Sequence, residues 1–155
     1  MGVLKTFGVQ EGQGKYYEEA VYSLALLYNV IDREMSGYLK DFDLTLGKLN
    51  ILLAVRHQGK EEGIRQVEVS KYLIVTPSNM TKLIDKLEKD GLVARSSLKG
   101  DRRVNILKVT DKGTKLLDRV WEGYNAKLKN LVSRLDKSKQ KHLASLLMEW
   151  LEGLI

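Results

Sequence analysis

The sequence predicts a mainly α-helical chain with one small β-hairpin: a helix-turn-helix head carried between long flanking helices. Three observations predict it. Apolar residues recur at three- and four-residue steps over long stretches toward both ends of the chain. Two short helical patterns meet at Thr76-Pro77. Two short strand-like runs then flank the polar tip Lys99-Gly100-Asp101-Arg102. A period near 3.6 marks an amphipathic helix, whereas short runs bounded by turn residues mark a hairpin.

Residues 1–15 show no periodicity and contain Gly2, Gly8, Gly12 and Gly14, which reads as a flexible arm. Gly12-Gln13-Gly14-Lys15 is not a phosphate loop. Val9 stands where that pattern needs its first glycine, and Tyr16 where it needs Ser or Thr. From Tyr16 a long helix is expected, its stripe made by Tyr17, Ala20, Val21, Leu24, Leu27, Tyr28, Ile31 and Met35. A second helix is expected from about Leu44 to His57, with Asp43 or Thr45 as N-cap, before residues 57–63 break the pattern.

A third helix is expected from Ile64 to Leu73 and a fourth from Pro77 to Lys89. Thr76 suits the N-cap, and Pro77 the first helical position, where a missing N–H costs nothing. Met80, Leu83, Ile84 and Leu87 form the inward stripe. Ser78, Asn79, Lys82 and Lys86 take the opposite face, with Thr81 at its edge. Gly91 stops the helix in the left-handed conformation that glycine tolerates. Strands follow at Leu92–Ser97 and Arg103–Val109. A long helix resumes at Thr110, and a final one carries Leu143, Leu146, Leu147, Trp150, Leu151 and Leu154. A helix-turn-helix followed directly by a hairpin is a winged helix, which can lay one helix in a DNA groove with the wing beside it.

Bulk composition narrows the function. A chain of 155 residues is the size of one domain, and 43% hydrophobic with 30% charged residues fits an ordinary soluble protein. No apolar run approaches the ~20 residues needed to span a membrane, and the N-terminus has no secretory pattern, so the cytoplasm is expected. With no cysteine, disulfides, thiolate sensing and cysteine-ligated zinc are excluded. His57 and His142 are the only histidines, and Glu61-Glu62 sit in a charged loop without the apolar setting that raises a carboxylate's pKa. Nothing therefore signals an enzyme, a metal or a cofactor. The net charge of +6 is uneven. Residues 64–112 hold 11 Lys/Arg against 6 Asp/Glu, whereas residues 1–63 hold 7 against 9. A basic surface of this kind attracts a phosphate backbone. The outer helices, 16–42 and 114–155, are apolar on too many faces to decorate a small head. They are expected to form a dimer seam around the DNA-binding region 43–113.

Three stretches resemble the MarR family of bacterial and archaeal regulators. Gln66-x-Glu68-Val69-Ser70-x-x-Leu73-x-Val75-Thr76 is similar to its first helix-turn-helix segment. Residues Pro77 to Val93 are similar to its recognition helix and strand entry. Asp101-Arg102-Arg103, with Leu107-x-Val109-Thr110-x-Lys112-Gly113, is similar to its wing and the helix after it. The likeness covers about Tyr16 to Leu154. It departs at Leu73-Ile74-Val75, which lacks the glycine many members carry.

The resemblance implies a homodimer on a pseudo-palindromic double-stranded DNA operator, acting as a repressor, with one winged helix per half-site. Asn79 and Lys82 are then expected at base edges, and Ser78 and Thr81 at bases or phosphates. Lys86, Arg65, Gln66 and Arg95 are expected at phosphates, with Thr76 opening the recognition helix. In the wing, Arg103 is expected in the minor groove with Asp101 as brace, and Lys99 and Arg102 on phosphates. The resemblance further implies release by a small aromatic or phenolic effector, for which Tyr38, Arg56, His57 and Trp121 are the candidate lining. The rival reading is a winged helix used for protein–protein interaction without duplex binding.

Overall fold

A computed structural model of the chain describes residues 2–10, 12–73, 78–98 and 101–155, and for Arg102 the backbone alone. A 3-10 helix, Leu4–Phe7, precedes α1 (Tyr16–Lys40) and α2 (Leu46–Gly59). Next come β1 (Ile64–Arg65), a second 3-10 helix (Gln66–Tyr72), α3 (Met80–Lys89), β2 (Val93–Leu98) and β3 (Asp101–Val109). Helices α4 (Asp111–Val132) and α5 (Lys137–Glu152) complete the chain. The chain divides into two compact units, Met1–Val120 and Trp121–Ile155.

In the first unit, α2 begins at Thr45, whose hydroxyl accepts from the Lys48 N–H at 3.2 Å. Of the two N-caps open to the sequence, Thr45 is therefore the one used. Asp43 instead adopts a left-handed φ of 53° in the preceding turn. Thr45→Ala is expected to cost ~1 kcal/mol, read as a lower urea midpoint with an unchanged slope.

The core draws Met35 and Leu39 from the end of α1, and Leu49, Ile51, Leu52 and Val55 from α2. Val69, Ile84, Leu87, Leu107, Leu117 and Val120 close on them, each no more than 1% exposed. Burial of side chains this large contributes roughly 1.5–3 kcal/mol apiece before entropy is counted. It is what holds α3 against α2 and β2.

Residues 64–73 differ from the expected helix. Ile64 and Arg65 form a strand that pairs antiparallel with β3, Ile64 opposite Leu107, and only then does a 3-10 helix begin. The reason lies one residue upstream. Gly63 has φ +87°, and a Cβ there would stand 2.6 Å from Ile106 Cγ2 and 2.8 Å from the Leu107 carbonyl oxygen. A bare glycine lets the chain lie against β3, so the next two residues join the sheet, whose order is β1-β3-β2. The arm also differs. Leu4 and Val9 are buried, and the 3-10 helix packs on α1.

Helix α3 starts at Met80 rather than Pro77, so Ser78 and Asn79 stand in the turn before it. The expected cap and first residue, Thr76 and Pro77, lie outside the described residues. Its far end is as the sequence predicts. Gly91 has φ +70°, its N–H bonds to the Glu88 carbonyl at 2.9 Å, and the Leu92 N–H bonds to the Leu87 carbonyl at 2.9 Å. Those two bonds make a Schellman motif, with Leu87 and Leu92 as its apolar contact. The α4 junction is as tight. Thr110 Oγ1 donates to the Gly91 carbonyl at 2.7 Å and accepts from the Gly113 N–H at 3.1 Å. Gly113 rests so close to Leu92 that a Cβ would stand 2.3 Å from its carbonyl oxygen.

In the second unit, Asp136 caps α5 by accepting from the Lys139 N–H at 2.9 Å. Gln140 Nε2 donates to the Leu135 and Val132 carbonyls at 2.7 and 3.2 Å. The Val132 carbonyl also accepts from the Leu135 N–H at 3.0 Å, so Gln140 adds to the bonds that close the end of α4. No residue of α5 is buried, and Leu146, Met148 and Leu151 are about half exposed. Tyr17, Val21, Leu24, Leu27 and Tyr28 on α1 are exposed in the same way.

Candidate nucleic-acid interface

Helix α3 is anchored on one face and open on the other. Ile84 and Leu87 are fully buried, Met80 and Leu83 partly so, while Thr81, Lys82, Asp85 and Lys86 are exposed. A helical repeat puts residues 82, 86 and 89 in one row, giving the open face a line of lysines. Ser78 and Asn79 are exposed at its N-terminal approach. Asn79 occupies the N-cap position without making a side-chain cap bond, which leaves its amide donor and acceptor free of the helix end.

Beside this helix, β2 and β3 form the wing, with a register shift between Ser97 and Leu98 near its tip. Asp101 and Arg103 are exposed. Asp101 Oδ1 accepts from the Arg103 backbone N–H at 2.9 Å, so the expected brace acts on the main chain and orients Arg103 from its root. Lys99 and the Arg102 side chain lie outside the described residues. Arg65 is exposed on β1 at the sheet edge. Gln66 is half-buried, and its Oε1 is buried without a hydrogen-bond partner among the described residues.

Arg95 is where the structure departs most from the expected site. Rather than reaching outward toward a phosphate, it turns onto α3, with Nη2 at 2.6 Å from Asp85 Oδ1 and Nη1 at 3.4 Å from Glu88 Oε2. Sequence reasoning missed both carboxylates. The signal available was alternation: Val93 faces the core, so Arg95, two residues on, shares that face. Lys48 was missed as well. Its ammonium, on a side chain only 9% exposed, lies 3.0 Å from Asp90 Oδ2 and donates to the Asp43 carbonyl at 3.2 Å. Lys112 Nζ donates to the Asp90 carbonyl at 2.6 Å. Two cations therefore meet the C-terminal end of α3, where the helix dipole favours positive charge.

The four expected effector-lining residues are largely occupied. Tyr38 donates its hydroxyl to the Val120 carbonyl at 2.9 Å and lies 5.2 Å from the Phe42 ring. Arg56 pairs with Asp118 at 2.8 Å, and His57 is exposed. Trp121 belongs to the second unit, where it stacks on Tyr124 at 5.8 Å. Burial raises the Tyr124 phenol above its ordinary pKa. An open cleft of about 740 Å³ in the first unit is lined by Leu92, Lys112, Lys115, Leu116, Asp118 and Arg119, and by none of those four. Among the described residues, no three His, Asp or Glu side chains gather as a metal site, and no helix is long and apolar enough to cross a membrane.

A short helix packed before an exposed polar helix, followed by a two-stranded wing on a small antiparallel sheet, defines a winged helix-turn-helix protein. Residues 44–104 match the family model described as MarR family. Over this segment the chain is similar to the MarR family.

Among relatives, it is 28% identical to the HTH-type transcriptional regulator PecS of Dickeya dadantii (strain 3937), over 76% of this chain and 71% of that protein. It is 29% identical to the HTH-type transcriptional repressor MdtR of Bacillus subtilis (strain 168), over 79% and 77%. Among solved structures, a MarR-like transcription regulator from Bacillus cereus ATCC 10987 superposes with a TM-score of 0.82 at 20% identity, covering 92% of this chain and 100% of that one. A mutant MarR from E. coli in complex with operator DNA gives 0.76 at 22% identity, covering 91% and 99%.

Proposed function

We propose that this protein is a cytoplasmic transcriptional regulator, a repressor, that binds a pseudo-palindromic double-stranded operator as a homodimer. The observation that carries the reading is the open face of α3, with its lysine row and an exposed Asn79 that makes no side-chain bond to the helix end, set beside a wing that exposes Arg103. Two such helices about 34 Å apart reach successive major grooves on one side of B-DNA. Asn79 offers donor and acceptor together to adenine N6 and N7, and Lys82 donates to guanine O6 or N7. Ser78 and Thr81 add contacts beside them, and Lys86, Arg65 and Gln66 meet the backbone. Arg103 enters the minor groove, where narrow A-tracts focus negative potential. The exposed apolar residues of α1 and α5 supply the dimer seam. The repressor assignment draws on MdtR, and operator binding draws on the E. coli MarR complex.

A small aromatic or phenolic effector fits this scheme if it binds better when the two heads are misplaced for DNA, which lowers operator affinity by population shift. Tyr38 and Arg56 would line its site while holding the Val120 carbonyl and Asp118, through the phenol ring and the remaining guanidinium N–H groups.

The test is selection of bound sequences from a random duplex pool, followed by a salt titration on the selected duplex. A two-fold symmetric motif with half-sites one turn apart, bound with steep salt dependence, is the expected result. No enrichment from an intact dimer transfers the weight to a protein-interaction module. On the selected operator, Asn79→Ala is expected to cost ~1–3 kcal/mol at one symmetric position per half-site. Equal losses on every sequence would reassign Asn79 to the backbone.

A further inference from the structure

We infer that Arg95 is a positioning residue of this interface: it fastens the wing to the recognition helix and cancels two carboxylates on it, and makes no contact with the DNA backbone. The inference rests on the DNA-binding reading above.

Antiparallel register sets Arg95 opposite Leu107, which is paired on its other side with Ile64. Paired residues in such a ladder share one face of the sheet, and Ile64 and Leu107 are buried. Arg95 is thereby turned inward, with 24% of its side chain exposed. Its Nη2 and Nη1 reach Asp85 and Glu88, three residues apart on α3, so one guanidinium gathers carboxylates from two positions of the helix. A planar fork can do this, whereas a lysine ammonium offers a single point charge. The third nitrogen, Nε, is buried without a hydrogen-bond partner among the described residues, so the edge of the guanidinium nearest its stem is closed to solvent.

Asp85 lies between Lys82 and Lys86 on the exposed part of α3. An uncovered carboxylate there would face phosphates of like charge and work against the lysines on either side. Paired with Arg95, it is neutralised from within the protein. The same contact fixes how far β2, and with it the wing, stands from the helix. Arg95 therefore sets both the local charge of the reading face and the spacing between its two DNA-facing parts.

The test uses the full chain and the selected operator. Arg95→Gln is expected to weaken binding about tenfold or more, as for other charged groups at such interfaces. Adding Asp85→Asn and Glu88→Gln to it removes the exposed negative charge, and the triple variant is expected to regain most of the loss with the wild-type salt slope. A triple variant as weak as Arg95→Gln, with a slope shallower by roughly 1.8 (about 0.9 for each protomer's contact), would make Arg95 a phosphate contact and overturn the inference.

A second measurement needs no DNA. The urea midpoints of Arg95→Gln, Asp85→Asn and their combination are expected to be non-additive, and additive shifts overturn the clamp. Arg95→Lys, which keeps the charge but not the fork, serves in both measurements if the glutamine variant does not fold. A wild-type chain that binds no duplex overturns the DNA-binding reading and this role with it. The coupling measured without DNA distinguishes that failure from an absent clamp.

Discussion

Gly113→Ala is expected to destabilise the first unit by ~3 kcal/mol or more, the upper range for overpacking a closed site. The sign makes this a sharp expectation. Gly113 lies in the first turn of α4, and replacing a helical glycine with alanine ordinarily stabilises by roughly 0.5–1 kcal/mol. Here the added methyl would stand 2.3 Å from the Leu92 carbonyl oxygen and 2.8 Å from Val109 Cγ1. Neither can yield cheaply. Leu92 is held by its bond to the Leu87 carbonyl and accepts from the Thr110 N–H at 3.1 Å, and Val109 is the last residue of β3, paired with Val93. Steric cost therefore exceeds propensity gain. Against a total stability of ~5–15 kcal/mol, the loss is visible as a large fall in urea midpoint. A midpoint at or above wild type would mean that α4 does not sit this close to the start of β2.

Arg103→Ala is expected to lower operator affinity about tenfold to a hundredfold, ~1.4–3 kcal/mol, while leaving the oligomeric state unchanged. The loss is expected to depend on sequence outside the major-groove contacts. It is largest on duplexes whose flanks are A-tracts and smallest where G·C-rich flanks widen the minor groove. Asp101→Ala is expected to lose part of the same affinity, because the Asp101 carboxylate holds the Arg103 backbone N–H. Fluorescence anisotropy on duplexes differing only in their flanks reads both effects, with sedimentation as the check on assembly. Equal affinity for wild type and Arg103→Ala on every flank would mean the wing stays out of the groove.

Much of this architecture was legible in the sequence because it rests on repeated local signals. The helices α1, α2 and α4, the buried Ile84 and Leu87, the Gly91 stop and the two wing strands each follow from spacing or from a residue with few conformational alternatives. Elsewhere the information is not local. Two residues of β1 are too few to show alternation, and Ile64-Arg65 joins the sheet only because Gly63 and the distant Ile106–Leu107 segment fit together. Leu4 is buried by packing on α1, which the glycine-rich composition around it does not announce. For the site, exposure of Lys82, Lys86, Asn79 and Arg103 followed from the helical repeat and the hairpin tip. The partners of Arg95 did not, since Asp85 and Glu88 come within reach only once β2 folds back along α3. Charge by itself reads as solvent-facing. Pairing with a particular carboxylate is a property of the fold.

The connections around the wing have a consequence for how such a protein can change length. Between the end of α3 and the start of β2 stand three residues, and between β3 and α4 stands only Thr110. Both are hydrogen-bonded to one another through the Thr110 hydroxyl and the Gly91 carbonyl. There is no slack to absorb an inserted or deleted residue. One extra residue at either junction would turn the following helix by about 100° or flip every side chain of the following strand. Insertional scanning would thus find residues 90–92 and 110 intolerant even to a single alanine. Variation in length is admitted only where a change of register reaches no buried partner.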